Sequence, residues 1–390
     1  MKQLKIVSLL LILLISGCSQ FNKASDLLTN PTAKEQYKRD LKISDELFQI
    51  WKNTAEIAFR DSINIKLPYT ETGKFFPKNF PVYSYEIELK RGEIFEVKME
   101  TDSIETLVFI DLFKKIGESL SKYKKVTSSK FQKKSFRFEI EKSGTFKLVL
   151  QPEIEAHSNF ILKMEKIPAY LFPVSEGRNT NIQSYWGANR DGGTRGHEGI
   201  DIFAERGTPV VAATNGKIGF TGEKGLGGKQ VWLRDAKRKQ SLYYAHLDSI
   251  APISGKVKRG DTLGFVGNTG NARTTPPHLH FGIYKGYRGA INPLHFVNKT
   301  RRVEEFYQIS GNIPQKLVVQ SSKANLRNRP STSNSKILSI SKAQDTLQVL
   351  GKTNQWFHIR TTANKAFYIH ESLVKARKSP LTPKGGIYSN

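Results

Sequence analysis

Residues 277–283 read Pro277-His278-Leu279-His280-Phe281-Gly282-Ile283. The flanking Phe281 and Ile283 mark a β-strand. On a strand, side chains alternate between faces, so His278 and His280 point one way and Leu279 points into a core. Two imidazoles on one face can serve one metal ion, or one ion and its immediate surroundings. An isolated His-x-His is more often an ordinary surface or core feature, so its neighbours decide. Two further segments carry the same chemistry: Gly196-His197-Glu198-Gly199-Ile200-Asp201-Ile202 and Tyr243-Tyr244-Ala245-His246-Leu247. His197 and Asp201 are four residues apart, and in an extended chain their Cα atoms would lie about 13 Å from each other. Zinc ligands sit about 2 Å from the ion, so the backbone must bend to bring both in. Gly196 and Gly199 are expected to permit that bend. Two histidines and one carboxylate form a sensible catalytic zinc shell. They leave net positive charge and an open fourth position, where a water's pKa falls to roughly 7.

The order and context of these segments resemble the lysostaphin-like (LytM-type) zinc metallopeptidases. The matching runs are HEGID at 197–201, IFAERGTPVVAATNGKI at 202–218, YAHL at 244–247, GDTLGFVGNTG at 260–270 and HLHFGI at 278–283. The resemblance implies an antiparallel β-sheet peptidase domain with one Zn²⁺ per chain, held by His197, Asp201 and His280. It makes His246 and His278 unligated catalytic histidines and peptidoglycan the substrate, with metal-bound water attacking the peptide cross-link. The sequence has no HExxH glutamate, so histidines must carry the protons, and an imidazole near pKa 6.5 suits both taking and returning one. Which of His246 and His278 is the base is left open. Tyr244, two before His246, is expected on the same face, with its hydroxyl available to an oxyanion.

Departures from the family pattern are small. Thr275-Pro276-Pro277 replaces the usual Thr-Gly-Pro before the His-x-His, and Arg273 and Thr274 also differ. These positions touch the approach to the site, not its ligands. Asn189-Arg190-Asp191 lies where relatives keep a loop lining the cleft and receives no role. The glycine-rich runs 222–228 and 264–270 lack the GK[ST] ending of a phosphate loop and read as hairpin turns and groove walls. Some relatives have lost ligands and act as non-catalytic wall-binding activators of other hydrolases. All five chemistry residues are retained here, which favours an enzyme. In the family an N-terminal segment can also fill the cleft, and the region before Pro168 is long enough to do so.

The rest of the chain is organised around this stretch, giving a mainly β protein. Ala33 to Phe59 carries Tyr37, Leu41, Phe48 and Trp51 at helix-like intervals. From Tyr83 the period becomes two, with strands at Tyr83–Leu89, Ile94–Met99, Leu107–Phe113, Ser135–Glu141, Thr145–Gln151 and Asn159–Glu165, a pattern expected of a β-sandwich. The Phe136–Leu150 stretch loosely resembles the last strands of pre-peptidase domains. Lys114–Lys134, with eight lysines and one glutamate, reads as a solvated hairpin loop. The run Ala324–Thr332, with Trp356–Arg360 and Phe367–Val374, resembles a bacterial SH3-like barrel, a fold that often holds cell-wall peptide. The expected order is therefore leader 1–17, tether and amphipathic helices 18–73, β-sandwich 74–168, peptidase 170–300, SH3-like unit 315–376 and basic tail 377–390. His157, His295, His358 and His370 lack partners at useful spacing and are expected to be structural.

The 390 residues contain 61 Lys+Arg against 35 Asp+Glu, a net charge of +26. Such a chain is drawn to polyanions. The start, MKQLKIVSLLLILLIS, has two early lysines and an apolar core too short for a membrane span, which suits an export signal. It ends in Ile15-Ser16-Gly17-Cys18. That run resembles a bacterial lipobox, which makes Cys18 the lipidated N-terminus and a membrane anchor. The residues after Cys18 are Ser19, Gln20 and Phe21, with no aspartate, as in lipoproteins sorted to an outer membrane. An exported chain does not meet genomic DNA, so nucleic acid is not an expected partner and the anionic cell wall is. The single cysteine excludes a disulfide framework and any multi-cysteine metal site.

Overall fold

The computed structural model describes residues 26, 29–77, 80–117, 122–303 and 313–377. The segment expected to be an export signal, Cys18 and the tail beyond Arg377 lie outside the described residues. Two helices precede the first strand from Ala33 on. Ala33–Asp40 starts in a capping box between Thr32 and Glu35, and Asp45–Phe59 is capped by Ser44; both satisfy N–H groups that would otherwise lack partners. Their apolar faces bury Tyr37, Phe48 and Trp51 against Phe109 and Ile154. The Trp51 indole donates to the Pro152 carbonyl (2.9 Å) and the Tyr37 hydroxyl accepts from the Ile154 amide (2.9 Å). The helices are thereby strapped to the sandwich that follows.

One sandwich layer is a four-stranded antiparallel sheet in the order Tyr83–Leu89, Gly144–Pro152, Val108–Lys115, Tyr123–Ser128. The other contains Ser135–Glu139, Glu93–Thr101, Asn159–Pro168 and Tyr69–Lys74. Tyr85, Ile87, Leu112, Phe95, Phe160 and Leu162 fill the space between. Two details differ from expectation. Tyr123–Ser128 lies inside the lysine-rich segment expected to be a loop. It forms a strand because Val126 packs against the core while Lys124 and Lys125 face solvent, and lysines on an edge strand discourage further pairing. Tyr69–Lys74, placed with the helical segment by sequence, is a full partner of Asn159–Pro168.

The C-terminal strands do not stand apart. Thr72 pairs with Lys352, so Thr346–Thr353, Trp356–Arg360, Ala366–His370, Lys323–Arg327 and Ile337–Lys342 continue the sandwich's second sheet. The seam is polar and buried. Glu71 and His358 are fully buried and 3.0 Å apart, and the Tyr69, Tyr85 and Tyr368 hydroxyls surround that carboxylate and one another. Beside them Arg360 donates to Asp61 (2.8 Å).

The segment between these units forms its own ten-stranded antiparallel sheet. Its main path runs Lys256–Val257, Gly216–Glu223, Lys229–Asp235, Gln240–Ile250, His278–Tyr284, Ile200–Phe203, Ile182–Ser184. One face buries Ile202, Val231, Leu242, Tyr244, Leu279 and Phe281; the alternate residues are left to build a site. Arg238 ties this sheet to the sandwich through Glu139 (3.0 Å) and stacks on Tyr170. Phe296 packs so closely on the Gly92 turn, where φ is +91°, that a Cβ there would lie 2.5 Å from the ring. Among the described residues no helix is long and apolar enough to cross a membrane.

Candidate metal centre

Three neighbouring strands build the site. In their antiparallel register Asp201 sits directly opposite His280, and His280 directly opposite Ala245. Opposed residues on one face have Cβ atoms about 5 Å apart, so pairing alone brings Asp201 and His280 together across 79 residues of chain. His197 arrives from a short ladder of Asn189–Arg190 with Arg195–Gly196, and its amide donates to the Ala188 carbonyl (2.8 Å). The expected bend is present, but Gly199 serves it differently from expectation. A Cβ at that residue would lie 2.6 Å from the His280 ring and 2.7 Å from the Phe281 carbonyl, so glycine is required for close approach, not for an unusual φ.

His197 Nε2, Asp201 Oδ1 and His280 Nδ1 form a triangle with 3.0 Å sides. An equilateral triangle of that size has its corners about 1.7 Å from its centre. A point about 2 Å from all three atoms therefore exists just off their plane, which is the zinc–ligand distance for imidazole and carboxylate. The donor set fits zinc. This is the cluster of potential metal ligands found among the described residues. His197 Nδ1 is 2.9 Å from the Tyr185 carbonyl, an N–H···O contact that leaves Nε2 free to ligate and fixes the ring's orientation. Burial disfavours the charged Asp201 carboxylate, but the His197 and His280 rings against it outweigh that and hold it well below the usual carboxylate range. Burial lowers His280, in keeping with a neutral ligand.

His278 and His246 stand beside the triangle. His278 Nδ1 donates to the Pro276 carbonyl (2.9 Å) and its ring stacks on Phe203. His246 Nδ1 donates to the Thr269 carbonyl (2.9 Å). In both, Nε2 remains as the acceptor. The two rings are 5.1 Å apart, and His246 is 5.8 Å from His280. Burial first, then neighbouring His280 and His278, pushes His246 down to about 4.

Tyr244 is not part of the site. It is fully buried in the core, and its hydroxyl accepts from the Ala213 amide (3.0 Å). The reason is a β-bulge. Partnering jumps from Tyr244↔Val231 to Leu247↔Lys229, three residues against two, and His246 takes a left-handed φ of +63°. The extra residue breaks the alternation, so Tyr243, Ala245 and His246 all line the cleft while Tyr244 points away. Sequence reasoning also missed Tyr284, whose hydroxyl donates to Glu198 (3.2 Å) and for which local pattern offers no signal. It gave no role to Arg190, in the run expected to line the cleft, which donates to Asp201 Oδ2 (2.6 Å).

The cleft over these residues has a volume of about 480 Å³ and is lined wholly by residues 184–284, including the Leu226-Gly227 rim. Among the described residues no part of the N-terminal region enters it. The other four histidines lie elsewhere: His358 in the seam, His295 3.9 Å from Glu93, His370 on Ser372, and His157 beside Phe76.

Residues 195–293 match the model of Peptidase family M23. The chain carries an M23-type peptidase domain. Similar proteins include the DD-carboxypeptidase/endopeptidase Mpg of Neisseria meningitidis, 47% identical over 85 residues, covering 22% of this chain and 19% of that protein. The L-Ala--D-Glu endopeptidase of Bacillus subtilis is 37% identical over 125 residues, covering 30% and 38% respectively. The catalytic domain of lysostaphin from Staphylococcus simulans is 32% identical, covering 30% of this chain and 92% of that one, with a TM-score of 0.27. The chain thus spans about a fifth of the length of the neisserial relative. The matched residues hold nine of the ten strands of the sheet, all but Ile182–Ser184; the sandwich and the C-terminal strands lie outside the match.

Proposed function

We propose that this protein is a zinc-dependent endopeptidase that hydrolyses peptide cross-links of bacterial peptidoglycan. The observation that carries this is the 3.0 Å triangle of His197 Nε2, Asp201 Oδ1 and His280 Nδ1 with two oriented, unligated histidines at its edge in an open cleft. The substrate class is supported by a relative from Vibrio cholerae named Peptidoglycan DD-endopeptidase ShyC, 28% identical over 120 residues. A zinc ion bound there supplies a Lewis acid that polarises a peptide carbonyl and acidifies water.

This chain's own residues do the rest. His246 and His278 each have Nδ1–H committed to a backbone carbonyl, so each presents Nε2 to the cleft. One accepts the proton of the attacking water at Nε2 and returns it to the leaving amide nitrogen; the other, protonated at Nε2, donates to the developing oxyanion. Tyr243 and Tyr284 wall the peptide path. Cys18 anchors the protein by lipid in the bacterial envelope, and the SH3-like unit 315–376, with the net positive charge of the chain, holds it on anionic wall polymer.

The test is release of soluble peptides from purified peptidoglycan by the full chain, followed by mass analysis of the products. Activity that vanishes with chelator, returns with zinc and is absent in His280→Ala supports the assignment. Wall hydrolysis that survives both treatments rejects it.

A further inference from the structure

The two oxygens of Asp201 are treated differently. Oδ1 faces His197 and His280 at 3.0 Å each. Oδ2 faces Arg190, whose Nη2 lies 2.6 Å away, and the same Nη2 donates to the Ser184 hydroxyl at 2.7 Å. The Asp201 side chain is 8% exposed and that of Arg190 30%, so the pair is partly shielded from water. Ser184 in turn stands 3.4 Å from His197 Nδ1. Arg190 sits on the short ladder Asn189–Arg190 with Arg195–Gly196 that leads into His197. One guanidinium therefore touches one candidate ligand and belongs to the segment delivering another.

We infer that Arg190 is a positioning residue for the metal centre: by occupying Asp201 Oδ2 it restricts the carboxylate to one-oxygen ligation and keeps a coordination position open for water. This rests on His197, Asp201 and His280 being the zinc ligands. A carboxylate with both oxygens free can close over the ion as a bidentate ligand, filling the place that hydrolysis needs. A charged, short hydrogen bond to Oδ2 prevents the rotation this requires. Arg190 acts through Asp201 and needs no contact with substrate.

The test uses full-length protein stripped of metal, as wild type, Arg190→Gln, Arg190→Lys and Ser184→Ala. Zinc affinity is measured by competition with a chromogenic chelator, and Co²⁺-loaded samples are read by visible absorption, which is intense for four-coordinate and weak for higher-coordinate cobalt. Arg190→Gln is expected to bind zinc about 10- to 100-fold more weakly and to give a weakened cobalt spectrum. Arg190→Lys, which keeps a cation against Oδ2, is expected to recover most of both, and Ser184→Ala to fall between. Circular dichroism checks that each variant is folded; should Arg190→Gln not fold, Ser184→Ala decides. Affinity within twofold of wild type and an unchanged cobalt spectrum in Arg190→Gln, or in Ser184→Ala where Arg190→Gln does not fold, overturn the assignment of Arg190 while leaving the peptidase reading intact. Wild-type protein that binds neither metal overturns both.

Discussion

Replacing Arg360 with methionine tests whether the C-terminal strands and the sandwich are one folding unit. Arg360 is 9% exposed and its partner Asp61 1%. Nη2 donates to Asp61 Oδ2 (2.8 Å) and to the Val82 carbonyl (3.0 Å), and Nη1 to the Asn364 carbonyl (2.9 Å). Methionine fills much of the volume but leaves Asp61 with the Ala366 amide at 3.0 Å and no paired cation. An exposed ion pair would be worth about 0–1 kcal/mol. Breaking a buried one by removing a single partner costs about 3–5 kcal/mol, because an uncompensated charge stays in the interior. Burial on both sides of this pair puts it in the second class. The assay is urea unfolding followed by fluorescence of variants retaining Trp51 or Trp356, which lie on opposite sides of the seam. Both reporters should show a common transition at lower urea in Arg360→Met, and adding Asp61→Asn should recover most of the loss. A loss below about 1 kcal/mol, or a shift confined to Trp356, would refute the continuous-sheet account.

His246→Ala and His278→Ala should each lower kcat by about 10²–10⁴ with zinc content unchanged; loss of bound zinc in either would make that histidine a ligand. Tyr244→Phe should destabilise the fold by about 1–2 kcal/mol through the orphaned Ala213 amide while leaving kcat intact, and a large fall in kcat would return Tyr244 to the site. Gly199→Ala should weaken zinc binding sharply, because the new methyl meets the His280 ring at 2.6 Å; unaltered affinity would show that the strands can part at no expense. Burial raises the Asp111 carboxyl, but Lys34 and Lys125 outweigh it and the net shift is downward. A carboxyl lowered in the folded state stabilises above its unfolded value, near 3.9, and that stability is lost as pH falls through the folded value. Asp111→Asn should therefore flatten the fall of melting temperature below pH 5, and an identical slope in both proteins would rule this out.

Much of this was legible in the chain. Alternation alone located six of the eight sandwich strands, all but Tyr69–Lys74 and Tyr123–Ser128, and placed His278 and His280 on one face, because a strand's two-residue period is a local property. The helix at Asp45–Phe59 followed from its apolar spacing for the same reason. His197, Asp201 and His280 stood out as candidate ligands through family resemblance, and the structure brings their ligand atoms together. Tyr244 was misjudged where the period failed: a single left-handed residue at His246 shifted every later side chain by one place. The strand at Tyr123–Ser128 was hidden by its own lysines, which mark a charged edge as readily as a loop.

By itself the sequence determined which side chains could bind a metal and which short segments would be extended. Both depend on residues close together in the chain. Only the tertiary structure decided that Asp201 faces His280, that Arg190 grips the carboxylate's second oxygen, and that Glu71 meets His358 across 287 residues. Those contacts depend on register between strands and on burial at a seam, and neither quantity exists until distant segments have packed.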